Sequence, residues 1–131
     1  MSNPKLINFT IHTDDRGQLS AYESEKTVPF NILRVFTSIA KKNEVRGEHA
    51  HKKCTQLLVC THGQLRVTCD DGENVTEYIL DNMGVSLLVP PEVWCKQEYL
   101  EDNTVLMVLC DRLYEADDYL HEYDEFVDFI K

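Results

Sequence analysis

An all-β fold, an antiparallel sandwich or barrel with one C-terminal α-helix, is what this sequence predicts. Apolar residues alternate over short runs, as in Gln64-Leu65-Arg66-Val67-Thr68-Cys69, where every second side chain is hydrophobic. Turn signals separate the runs: Asp15-Arg16-Gly17, His62-Gly63, Asp70-Asp71-Gly72 and Met83-Gly84. Only beyond Asp117 does the period change, with Leu120, Tyr123, Phe126, Val127 and Ile130 at helical spacing.

Strands are expected at 6–11, 18–23, 32–38, 47–51, 56–61, 64–69, 75–80, 85–89, 94–99 and 105–110. Asp71-Gly72 is the strongest hairpin signal among the turns. Pro90-Pro91 stops the strand before it, because neither residue can donate to a ladder. The helix is expected over about 117–130, capped by Asp117, with its acids outward and its apolar stripe packed as a lid on the barrel's exterior.

The chain has 131 residues, which suits a single domain, 1–131, that buries roughly two-thirds of its unfolded surface. No apolar run approaches the roughly 20 residues that span a bilayer. The opening Met1-Ser2-Asn3-Pro4-Lys5-Leu6-Ile7-Asn8-Phe9 lacks a signal peptide's apolar core, so the expected compartment is the cytoplasm. The cysteines, Cys54, Cys60, Cys69, Cys95 and Cys110, are odd in number and form no CxxC pair. They read as buried free thiols. A net charge of −10 argues against nucleic acid as a partner. The acid concentrates between Asp111 and Asp128, whereas Arg34, Arg46, Lys52 and Lys53 surround a histidine pair, leaving room for a small anionic ligand.

That pair is His49-Ala50-His51. On a strand, i and i+2 share a face, so both imidazoles look into one cavity. Gln56 and Gly63 follow. The spacing resembles the first metal motif of cupin barrels, in which a carboxylate stands where this chain has Gln56. A second cupin motif matches at Gly84 and Pro90, but Glu92 replaces its glycine and Cys95 its third histidine. A cupin-type jelly roll is therefore expected. A neutral amide removes the negative charge that would offset a divalent cation, so no metal is expected. The alternative is zinc held by His49, His51 and Cys95 with a water. Two imidazoles without a metal suit removal of a proton at one carbon and its return at a neighbour. His12 at a turn, His62 at a hairpin tip and His121 on the helix's outer face are expected at the surface. Trp94 is either a pocket wall or core, and Cys95 a small filler, a weak acid or a ligand.

At Arg46-Gly47-Glu48-His49-Ala50-His51-Lys52-Lys53, followed by Gln56-Leu57-Leu58-Val59-Cys60, the chain resembles the sugar-nucleotide 3,4-ketoisomerases, WxcM-like cupins. Asp15-Arg16-Gly17, Pro29-Phe30-Asn31-Ile32, Arg34-Val35, Pro90 to Trp94, and Tyr114 through Asp117-Asp118-Tyr119 to Asp124 carry the likeness over nearly the whole chain. The resemblance implies isomerisation of dTDP-4-keto-6-deoxyglucose without metal or organic cofactor, in making surface-polysaccharide sugars. It implies His49 as the base and His51 as partner or second shuttle. Arg46, Lys53 and Gln56 would hold substrate oxygens, and Arg34 the diphosphate. It further implies homodimers, with N-terminal strands such as Leu6–Ile11 exchanged. Relatives often carry Tyr where Phe36 stands, His or Arg at Cys95, and Arg or Tyr at Arg16. The last two positions track the face of C4 that is protonated. Arg16 matches the type that gives the 3-keto-6-deoxygalactose product; Cys95 matches neither type. The rival expectations are a non-catalytic sugar-nucleotide-binding cupin and a metal-dependent cupin enzyme.

Overall fold

The computed structural model describes residues 3–131. Strands β1 (Lys5–Asn8), β9 (Val85–Val89), β6 (Gln56–His62), β11 (Thr104–Cys110) and β4 (Arg34–Ala40) form one antiparallel sheet in that order. A second contains β12 (Tyr119–Leu120), β5 (Val45–His51), β10 (Trp94–Tyr99), β7 (Leu65–Asp70) and β8 (Val75–Leu80). Leu58 and Cys60 of the first sheet pack with Leu65, Val67 and Tyr99 of the second, so the core lies between the sheets. This is the expected cupin-type jelly roll. Strand β6 does not alternate because both its faces are covered: Leu57 and Val59 meet an outer cluster with Phe9 and Val28. No helix among the described residues is long and apolar enough to cross a membrane.

A separate two-stranded ribbon pairs β2 (His12–Asp14) with β3 (Gly17–Leu19), and no other strand joins it among the described residues. The expected strand at 18–23 ends at Leu19, because Tyr22 folds onto Phe9 with ring centroids 4.9 Å apart. His12 lies on a strand of this ribbon rather than in a turn. Strand β1, the segment expected to pair with a neighbour, adds to β9 of its own chain, Lys5 opposite Leu88. At Asp71-Gly72, Gly72 has φ +96°, and the Asp70 and Asp71 carboxylates accept the backbone N–H groups of the turn.

The C-terminal helix is the main correction. It is α1 (Tyr123–Ile130), and the residues assigned to its first turns form a 3₁₀ turn at Ala116–Asp118 followed by β12. Asp117 does not cap it; Glu122 stands at the N-cap and makes no side-chain capping bond. The cause is Asp118. Its buried carboxylate turns inward to the sheet, which carries Tyr119 and Leu120 into register with His51 and Ala50. Helix α1 then packs Phe126, Val127 and Ile130 over Ala50, Leu120 and Trp94 on the barrel's exterior, as the lid reading expects.

Candidate active site

Strand β5 builds the site through an irregularity. In its pairing with β10, Cys95 faces His49 and Lys96 faces Gly47, so Glu48 is an extra residue, a β-bulge. Glu48 has φ +50° and Gly47 φ +89°. A Cβ at Gly47 would lie 2.5 Å from Gln97 Oε1, so only glycine fits there. On a regular strand Arg46 and His49 would face opposite ways. The bulge puts both on the wall of one cavity of about 170 Å³, with Gln56, Gln97, Tyr99 and Tyr119. Phe36 and Ser38 of β4 complete that wall, and the Ser38 and Tyr99 hydroxyls share a hydrogen bond.

The two imidazoles sit edge to face, centroids 5.1 Å apart, but only His49 lines the cavity, with His51 buried behind it. His49 Nδ1 lies 2.9 Å from the Gly47 carbonyl oxygen. A carbonyl can only accept, so Nδ1 carries the hydrogen and Nε2 keeps its lone pair. Burial, then the repulsion between the two rings when both are protonated, holds the His49 pKa down at about 4, so the ring is neutral near pH 7. His51 is buried and donates from Nδ1 to Asp118 Oδ2 at 2.8 Å, while its Nε2 has no partner. Burial lowers the His51 pKa despite the carboxylate. Asp118 is itself buried, yet the His51 bond and the Lys53 and Cys54 N–H groups hold it below its ordinary value. The dyad is thus a neutral imidazole on an ionised carboxylate.

The other expected site residues divide. Arg46 and Gln56 line the cavity. Gln56 donates from Nε2 to Cys110 Sγ at 3.5 Å. Arg34 reaches it through Tyr119, whose hydroxyl accepts from Nη2 at 3.0 Å. Lys53 is exposed and joins through its backbone N–H alone. Trp94 points to the barrel's exterior, its ring 5.9 Å from Phe126 and 5.4 Å from Tyr123, so it is core beneath the helix and no wall of this cavity. Cys95 is buried behind Gln97, which donates to its sulfur at 3.4 Å, and it presses the Cys69 thiol pKa upward by hydrogen bonding. Arg16 is exposed in the β2–β3 turn and paired with Asp14.

Neither position changed from the cupin template offers the imidazoles an anionic donor, since Gln56 is an amide and Cys95 lies behind Gln97. Among the described residues, His51, Cys54 and Asp118 place possible ligand atoms within 4.8 Å of one another. Those carboxylate oxygens already accept one imidazole and two backbone N–H groups. The donor set fits a hydrogen-bonded dyad better than a metal.

Sequence reasoning missed Asp118, Tyr119 and Gln97 as site residues, and placed His121 on a helix. His121 lies before α1 and stacks on Tyr119 at 5.4 Å, 6.2 Å from His49. A signal was there: Tyr123, Phe126, Val127 and Ile130 satisfy i, i+3, i+4, i+7 by themselves, so the helix never needed Leu120.

Fold and cavity together define a jelly-roll cupin that presents a neutral, backbone-anchored imidazole to a small polar chamber. The chain belongs to the sugar-nucleotide 3,4-ketoisomerase family of WxcM-like cupins; the family described as FdtA: WxcM-like, C-terminal, matches residues 2–131. It is 43% identical over 127 residues to the TDP-4-oxo-6-deoxy-α-D-glucose-3,4-oxoisomerase of Aneurinibacillus thermoaerophilus, covering 96% of this chain and 91% of that one. It superposes on a 3,4-ketoisomerase from Helicobacter canadensis with TM-score 0.94 at 30% identity, over 99% of this chain and 98% of the other. QdtA, a sugar 3,4-ketoisomerase from Thermoanaerobacterium thermosaccharolyticum solved with TDP, gives 0.92 at 31%, over 96% and 93%.

Proposed function

We propose that this chain converts dTDP-4-keto-6-deoxyglucose into a dTDP-3-keto-6-deoxyhexose, moving a proton from C3 to C4 through an enediol without metal or organic cofactor. The observation that carries the reading is the His49 ring, locked by Gly47 so that a neutral Nε2 is the basic atom. The C4 ketone acidifies the C3 hydrogen, His49 removes it, and the same proton or its exchange partner returns to C4. His51 on Asp118 orients the pocket beside it. Arg46 and Gln56 hold sugar oxygens, and Arg34 offers the ligand a positive charge. Relatives named as acting on TDP-4-oxo-6-deoxyglucose and solved with TDP support the substrate class.

Within this reading the product is the 3-keto-6-deoxygalactose form, following Arg16, and the setting is cytoplasmic synthesis of surface-polysaccharide sugars. The working unit is a homodimer. Leu6, Leu19, Leu33, Val35 and Ile39 are exposed on one chain, and the β2–β3 ribbon pairs only with itself among the described residues.

Proton NMR with dTDP-4-keto-6-deoxyglucose in D₂O tests it. A 3-keto sugar accumulating supports the isomerase, deuterium at its C4 reports exchange of the transferred proton, and the H4–H5 coupling of product formed in H₂O names the epimer. Binding without formation of a 3-keto sugar would make the chain a sugar-nucleotide-binding cupin instead. His49→Asn is expected to lower turnover by about 10³-fold, within the range of a lost general base, with TDP affinity retained.

A further inference from the structure

Isomerisation by an enediol has a second proton to move. Removing C3–H makes a C3=C4 double bond with oxygens at both carbons, and the hydroxyl hydrogen must travel from the C3 oxygen to the C4 oxygen. Imidazole His49 serves the carbons, so another group has to serve the oxygens. Phe36 on the same wall lies 5.1 Å beneath the Arg34 guanidinium and has no proton to give.

We propose that Tyr119 is this oxygen-to-oxygen proton carrier, with Arg34 as its positioning residue. Tyr119 lines the same cavity as His49, its ring centroid 5.1 Å from His49 and 4.4 Å from His51. Its hydroxyl accepts a hydrogen bond from Arg34, which leaves the phenol's own hydrogen free to donate. Arg34 is held between Phe36 and Tyr114, and its buried Nε has no partner. The pair therefore presents a donor and an unspent cation at one end of the chamber.

The step balances. As His49 takes the C3 proton, the C–H electron pair becomes the C3=C4 bond, the C4 carbonyl opens, and its oxygen takes the Tyr119 hydrogen. The phenolate, beside the Arg34 cation, then takes the hydrogen of the C3 hydroxyl. That C–O bond becomes the new carbonyl as C4 is protonated, and Tyr119 ends as it began. Nothing is oxidised or reduced overall. The inference rests on the isomerase reading above.

The test compares wild type with Tyr119→Phe. Turnover is expected to drop by about two orders of magnitude or more, with KM within about threefold and TDP affinity within about twofold of wild type. The second variant places 3,5-difluorotyrosine at 119, whose phenol is more acidic. The groups facing Tyr119 are Arg34 on β4, His49 and His51 on β5, Tyr114, and the stacked His121. None of them is changed by that replacement, so the alkaline limb of the turnover–pH profile is expected to move down with the phenol. Tyr119→Phe turning over within threefold of wild type, loss of TDP affinity alongside turnover, or an unmoved alkaline limb overturns the proposal. Wild type that forms no 3-keto sugar at all would overturn the isomerase reading itself, a different result from any of these.

Discussion

Tyr119–Leu120 and the ribbon His12–Leu19 are both too short to hold a sheet by backbone pairing alone. The first pairs two residues with β5, the second three residues with three. What separates them is their side chains. Beside β12, the Asp118 carboxylate accepts three hydrogen bonds, Tyr119 packs on both imidazoles, and Leu120 is buried against Phe126. In the ribbon, every residue of both strands is exposed, and the Arg16–Asp14 ion pair lies within its own turn. A short strand becomes a fixed wall of a site when a buried polar group next to it must be satisfied. Without one, it remains a piece looking for a surface.

Removing the buried group breaks that contrast most sharply. Asp118→Ala leaves the His51 Nδ1–H and the Lys53 and Cys54 N–H groups without their acceptor in a buried place. Each orphaned donor costs about 1–3 kcal/mol, and the part-buried Lys53 N–H can turn to water, so a loss of about 3–5 kcal/mol in urea unfolding is expected, with turnover falling alongside. Asp118→Asn keeps one acceptor and should cost roughly half as much. An alanine variant within about 1 kcal/mol of wild type would mean that aromatic packing, and not the carboxylate, fixes β12.

Next in size is the pH response of the walled side. The His49 pKa is about 4 in the fold against an ordinary 6.5, so below 6.5 the unfolded chain binds a proton that the folded chain refuses. Stability is therefore expected to fall as pH drops from 6.5 towards 4 and to be flat in this group above 6.5. The full effect is on the order of 3 kcal/mol. Urea midpoints of wild type and His49→Asn at about pH 7 and about pH 4.5 check it: the variant should lose less on acidification. Equal losses in both proteins would show that His49 stays solvated enough to titrate normally.

The same contrast explains what could be read from the residues. Strand β7 shows in the sequence because its burial alternates with a period of two, and the histidine pair shows because residues two apart on a strand share a face. The bulge does not show. Positive φ at Glu48 has no residue signature, so nothing in the spacing puts Arg46 on the cavity side with His49. Trp94 misleads because alternation says only that it and Cys95 face opposite ways. Which face is the cavity depends on α1 covering the other. Tyr119 was hidden by Leu120, which stands three residues before Tyr123 and so extends a helical pattern that the Asp118 carboxylate interrupts.

The smallest expected effect on stability comes from the unanchored side and says the most about assembly. Arg16 is exposed and its ion-pair partner is its near neighbour, so Arg16→Ala should leave the urea midpoint unchanged. In a single chain it should also leave turnover alone, because Arg16 does not line the cavity. A homodimer whose ribbons cross gives a different outcome: Arg16 then serves the partner's cavity, and the alanine variant loses kcat/KM. Mixing Arg16→Ala with His49→Asn under conditions that exchange subunits separates the two arrangements. With crossed ribbons, each heterodimer contains one site with both His49 and Arg16, and an equal mixture recovers about a quarter of wild-type activity. Without crossed ribbons, Arg16→Ala keeps wild-type turnover by itself, and mixing it with His49→Asn adds nothing to the activity of its own sites.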